Sequence, residues 1–109
     1  MRAFILCLVL MSIVAMVTAT QAQSDPAKSF KTNCTLCHSA DGSGDSATGR
    51  ALHAKDLRSD EVQKETDAAL NEVITKGRGK MPAFGAKIKP DDIQKLVIYI
   101  RSLAKSSQH

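Results

Sequence analysis

Cys34-Thr35-Leu36-Cys37-His38 decides how the rest of this chain is read. Two thiols three residues apart, followed at once by an imidazole, make C-x-x-C-H, the pattern of covalent haem attachment. The spacing has a chemical reason. Each thiol can add to one of the two haem vinyl groups, which lie on neighbouring pyrroles, and the next residue then stands beneath the iron as proximal ligand. Two other readings of the cysteines compete. A C-x-x-C redox pair belongs in a βαβ setting, and a zinc site needs a second ligand pair. The spare histidines are His53 and His109, and His109 is the last residue. A disulfide between Cys34 and Cys37 would close so short a loop that it could stabilise little.

Outward from the motif the chain reads as helices joined by loops. Upstream, Ser24-Asp25-Pro26 forms a helix start, with Ser24 as N-cap and proline in the first turn. Ala27, Phe30 and Cys34 then follow at helical spacing, so one face leads into the cysteine pair. Downstream, Ser39 to Arg50 turns to Gly, Ser, Asp and Thr, which predicts a long loop. Ser59 before Asp60-Glu61 caps a short helix. Thr66-Asp67 opens a clearer one, with Leu70, Val73 and Ile74 on one face and Gly77 as its stop. Arg78 to Lys89 is irregular. Pro90-Asp91-Asp92 starts the last helix, whose stripe is Ile93, Leu96, Val97, Ile100 and Leu103, with Lys105 to His109 fraying. No run alternates with period two, so no sheet is expected.

The amino terminus reads as an address. Met1-Arg2 precedes an apolar run from Ala3 to Val17, and small residues follow in Thr20-Gln21-Ala22. That is the pattern of a secretory signal peptide, and the run is short of the roughly 20 residues a spanning helix needs. Residues 1–22 are expected to be cleaved, leaving residues 23–109 as one domain. Cys7 and three of the four methionines depart with them, and the net charge of +4 falls by one with Arg2. Of 109 residues, 4% are aromatic and none is Trp. A domain this small and this poor in bulk needs a staple such as a metal or cofactor, and a porphyrin would supply the missing core.

Haem iron takes a ligand on its far face or keeps an open site. In the mature chain His53 and Met81 are the candidates before the last helix. Met81 sits in Lys80-Met81-Pro82-Ala83-Phe84-Gly85, a glycine-flanked loop between helices, where Pro82 holds it extended. A methionine elsewhere usually fills core, but this one is the sole mature Met. It is the expected sixth ligand. With His38 and Met81 both bound, the iron has no vacant position, and the soft sulfur favours the ferrous state.

These residues resemble the class I cytochromes c, in particular the short soluble single-haem forms of bacterial and photosynthetic electron transport. The resemblance covers nearly all of the mature chain, and Gly79-Lys80-Met81-Pro82-Ala83-Phe84 is close to the short form's methionine-ligand loop. Phe30 resembles the aromatic of the family's N-terminal helix, and Tyr99 the aromatic of the C-terminal helix on which it packs. Many members carry a proline twelve residues after the haem histidine; here that position is Arg50. Ala27 is the best match to the small residue at the helix crossing. The resemblance implies an all-α, cytochrome c-like fold, three to four helices packed around one covalently bound haem. It implies thioethers at Cys34 and Cys37, axial ligation by His38 and Met81, and one-electron transfer without substrate chemistry, so not an enzyme. The alternative is a peroxidase or gas sensor with a displaceable Met81.

In the family fold the stretch holding Lys76, Arg78, Lys80, Lys87 and Lys89 rims the haem edge, and no acid lies among residues 76–89. Such a rim would steer an acidic redox partner, a membrane oxidase, reductase complex or dehydrogenase, into a brief contact. Nucleic acid is not expected as a partner, because the chain reads as exported and the patch lacks interleaved aromatics beyond Phe84. The expected protein is a monomer in the periplasm or a thylakoid-lumen-like space.

Overall fold

The computed structural model describes residues 24–106. The expected signal peptide and the cleavage site before Gln23 therefore lie outside the described residues. Six helical segments follow in order: α1 Pro26–Asn33, α2 Thr35–His38, α3 Ala47–Leu52, α4 Asp60–Gln63, α5 Asp67–Lys76 and α6 Pro90–Ser106. Among the described residues there is no strand, only an isolated antiparallel bridge between Arg78 and Met81. None of the described helices is long and apolar enough to cross a membrane. The all-α expectation holds.

Helix α6 is the spine. All five residues of its stripe, Ile93, Leu96, Val97, Ile100 and Leu103, are buried. Against it α1 sets Phe30, which is 1% exposed and stacks tilted on Tyr99 with ring centroids 5.1 Å apart. Burying a ring of that size contributes on the order of 2–3 kcal/mol, and the aromatic pair adds about 1 kcal/mol. On another face α5 contributes Leu70 and Ile74. Leu57, Val62 and Ile88 close the core from the connections and α4.

Several local expectations are corrected. The α1 cap is Asp25, whose carboxylate accepts from the Ala27 N–H at 3.0 Å. Ser24 instead donates its hydroxyl to the Asp92 carboxylate at the start of α6. Two good capping residues stood side by side, and the long-range partner of Ser24 decided between them. Ala27 is exposed and does not fill the helix crossing. The loop after the motif is shorter than expected: Ser46 accepts from the Gly49 N–H at 2.9 Å and starts α3. At the other end α6 stays helical through Lys105 to Ser106.

The turn into α3 depends on Gly49, which is buried. A Cβ there would collide with the carbonyl oxygens of Cys37 and Gly44, so the absent side chain lets α3 lie directly on α2. Ser46 completes the contact by donating to the Leu36 carbonyl at 2.7 Å. Gly49→Ala is expected to lower the unfolding free energy by about 1–3 kcal/mol, the usual cost of overpacking. Urea denaturation of the wild-type and variant holoproteins checks this, and equal midpoints would show that the contact yields freely.

Candidate haem site

The motif sits where α1 breaks. The backbone of Cys34 has φ −118° and ψ −30°, its N–H still bonds the Phe30 carbonyl, and α2 starts immediately after it. This short helix carries Cys37 and His38 onto the same wall as Cys34. The three residues line a cavity of about 550 Å³. Phe30, Leu57, Val62, Leu70, Ile74 and Leu96 give that cavity its apolar floor. At its mouth Leu36 is 71% exposed and Leu52 38% exposed, two of the three large hydrophobic side chains left in solvent among the described residues.

His38 is held by a backbone group. Its Nδ1 lies 2.9 Å from the Lys55 carbonyl oxygen. A carbonyl can only accept, so Nδ1 carries the proton and Nε2 keeps its lone pair. This is how a ligating histidine is held in one tautomer and one orientation. The family's proline position is Arg50 here, and Lys55 supplies the carbonyl. Sequence reasoning missed this partner because a main-chain oxygen has no residue signature.

Met81 reaches the same cavity from the far end of the chain. Helix α5 stops at Gly77, at φ +76°, where a Cβ would press on the Met81 carbonyl and the Ala83 N–H. The next four residues fold back: the Arg78 N–H donates to the Met81 carbonyl at 3.2 Å, and the Met81 N–H to the Arg78 carbonyl at 3.0 Å. Beyond Met81 the loop is stitched to the last turn of α5. The Phe84 N–H donates to the Ile74 carbonyl at 2.9 Å and the Gly85 N–H to the Thr75 carbonyl at 3.0 Å. Met81 is half-buried and packs against the core. His53 also lines the cavity, but it is exposed at the left-handed C-cap of α3.

The cysteines are unbridged. Burial, with the neighbouring Cys37 adding to it, pushes the Cys34 thiol up to about 11. A dithiol exchange enzyme activates a thiol by lowering it, and burial at Cys34 acts in the opposite direction. An unfilled hollow lined by core side chains is costly. Two free thiols, an imidazole with its outer nitrogen satisfied and a thioether all face that hollow. The residues fit a covalently held porphyrin.

Charge gathers near the mouth in two ion pairs. Lys55 lies 2.6 Å from Glu61, and its hydrogen bond holds that carboxyl below the ordinary carboxylate range. Arg78 lies 3.2 Å from Glu65, which is 25% exposed and itself lines the cavity. Of the five basic residues singled out above, Lys76 is also paired, with Glu72 at 3.2 Å. Lys80, Lys87 and Lys89 are exposed and have no ion-pair partner among the described residues.

Comparison with known proteins agrees with this construction. Residues 21–100 match the family described as cytochrome C oxidase, cbb3-type, subunit III. The chain is 32% identical over 81 residues to cytochrome c6 of Leptolyngbya boryana, covering 72% of this chain and 88% of that one. It is equally similar to cytochrome c6 of Microcystis aeruginosa, with 74% and 96% covered. It is 34% identical over 86 residues to the cbb3-type cytochrome c oxidase subunit FixP of Azorhizobium caulinodans, but spans only 28% of that longer protein. Among solved structures, the KustC0563 c-type cytochrome superposes with a TM-score of 0.68 at 29% identity, covering 73% of this chain and 98% of that one. A covalent-haem motif, an apolar cavity beside it and likeness along nearly the whole length of small cytochromes have one meaning: the chain belongs to the cytochrome c family, as a small class I, single-haem electron carrier.

Proposed function

We propose that Cys34 and Cys37 hold the haem through thioethers, that His38 Nε2 and the Met81 sulfur ligate its iron, and that residues 1–22 direct the chain to the periplasm and are removed there. One observation carries the ligand assignment: side chains far apart in the chain, Cys34, Cys37 and His38 in the motif and Met81 in its loop, line a single apolar cavity. Bound there, the haem supplies a one-electron couple between ferrous and ferric iron.

The residues around it have separate tasks. The Lys55 carbonyl keeps His38 in one tautomer and one orientation. The stitched loop from Gly77 to Gly85 holds Met81 against the core, which keeps water and small ligands off the far face. Phe30, Leu70, Ile74 and Leu96 supply a low-dielectric, closely packed wall that rearranges little when charge changes by one. Leu36 and Leu52 leave an apolar opening through which a partner approaches. Difference absorption of the matured protein tests the ligand set. Low-spin bands with the weak far-red feature of methionine on ferric iron support it, and a high-spin spectrum refutes it. The mass of the exported protein locates the cleavage point, expected before Gln23.

Redox proteins are the partners, and the docking charge lies on Lys80, Lys87 and Lys89, because Lys76 and Arg78 are already neutralised by Glu72 and Glu65. Lys87→Glu with Lys89→Glu is expected to slow oxidation by anionic ferricyanide roughly tenfold at low ionic strength, and to speed oxidation by a cationic cobalt complex, as electrostatic steering dictates. Both differences should fade at high salt. Equal rates with the two oxidants at low salt would remove the rim from the account.

A further inference from the structure

The methionine loop is anchored unevenly. Downstream of Met81, two backbone hydrogen bonds fix it to α5. Upstream, it passes through Gly77 and Gly79, both at positive φ, and a Cβ on Gly79 would meet nothing within 4 Å. Backbone bonds between Arg78 and Met81 close this turn on itself, but they do not tie it to the rest of the protein. Among the described residues the side-chain hydrogen bond that does so runs from Arg78 to Glu65 at 3.2 Å, beside the packing of Met81 on the core.

Glu65 is well placed to hold such a turn. It lies in the connection between α4 and α5, where its N–H donates to the Val62 carbonyl at 3.1 Å. Its own carbonyl accepts from the Arg101 guanidinium at 2.6 Å. Arg101 also bonds Asp67 at 2.8 Å and the Gln63 carbonyl at 3.0 Å, so the connection is riveted to the buried spine helix. The carboxylate is thus presented from a rigid base to a glycine-flanked turn whose other support among the described residues is the packing of Met81 on the core.

We propose that Glu65 is a positioning residue for the far-side ligand: through Arg78 it holds the Arg78–Met81 turn against the domain, and so sets how readily Met81 leaves the iron. The inference rests on Met81 being that ligand. The chain of contacts runs from the spine through Arg101 to the Glu65 backbone, from the Glu65 carboxylate to Arg78, and across two backbone bonds to Met81.

A double-mutant cycle in the haem-loaded protein tests this, using Glu65→Gln, Arg78→Gln and both together. Two quantities are read: the rate at which imidazole displaces the methionine in the ferric protein, and the amide exchange rates of Arg78 and Met81 in the ferrous protein. Each single variant is expected to raise both by about two- to fivefold at low salt, the range a partly exposed ion pair is worth. The double variant should be no faster than either single one, since each removes the same tether. Unchanged rates in both single variants, or effects that simply multiply in the double variant, would overturn the proposal. A lowered Tm with wild-type imidazole and exchange rates would overturn it too, by reducing Glu65 to general stability. The two readouts separate this failure from failure of the ligand assignment. If Met81 did not ligate, Met81→Ala would leave imidazole binding unchanged, while the amide rates would still report on the tether.

Discussion

Met81→Ala is expected to yield a protein that still carries covalent haem, binds carbon monoxide readily when reduced, and has a reduction potential lower by on the order of a few hundred mV. The drop falls within the ~0.8 V that axial ligation spans. Attachment survives because the thiols of Cys34 and Cys37 and the His38–Lys55 hydrogen bond involve no Met81 atom. The potential falls because a thioether favours ferrous iron, and water or an open site does not. The backbone of the loop should persist, since its bonds to Ile74 and Thr75 involve no Met81 side-chain atom. Redox titration and carbon monoxide flash kinetics check the expectation. An unchanged potential and spectrum would mean that another group, with His53 the first to examine, is the sixth ligand.

Replacing both cysteines, Cys34→Ala with Cys37→Ala, should have a still larger effect on the fold. Without attachment, the cavity of about 550 Å³ has nothing fixed inside it. Left unfilled, its apolar walls would face water, a loss on the order of several kcal/mol, set against a whole stability of about 5–15 kcal/mol for an ordinary domain. Collapse cannot repair it cheaply. The walls come from α1, α5 and α6, and Phe30 and Leu96 are already packed to 1% exposure against neighbours on the other side. The double variant should therefore lack covalent haem by mass, show a far-UV spectrum without cooperative melting, and be degraded in cells. A folded, cooperatively melting apoprotein would show that the helical shell is self-sufficient.

The site was more legible in the chain than its supports were. Cys34, Cys37 and His38 announce themselves because thioether attachment fixes their spacing by covalent geometry. Met81 stood out because it is the sole methionine beyond the expected signal peptide and Pro82 confines its backbone. The stripe of α6 was readable since five buried residues repeat at the pitch of a helix. Where local signals tied, the sequence reading went astray. Ser24 and Asp25 are both good caps, and a contact with Asp92 far along the chain chose Asp25. The Gly, Ser and Thr content around Ala47–Leu52 reads as loop, yet α3 forms because Ser46 caps it and the bare Gly49 backbone can lie on α2.

Residue types and their intervals, with the family resemblance they carry, were enough to read covalent haem, a helical class and electron transfer. Those properties follow from bonds and periodicities that act within a few residues. Folding in space settled the rest: the Lys55 carbonyl behind His38, the neutralisation of Lys76 and Arg78, and the Arg101–Glu65–Arg78 connection to the methionine turn. Backbone oxygens look alike in every sequence, and ion pairs across 13 or 34 positions exist only once helix crossings bring their ends within reach.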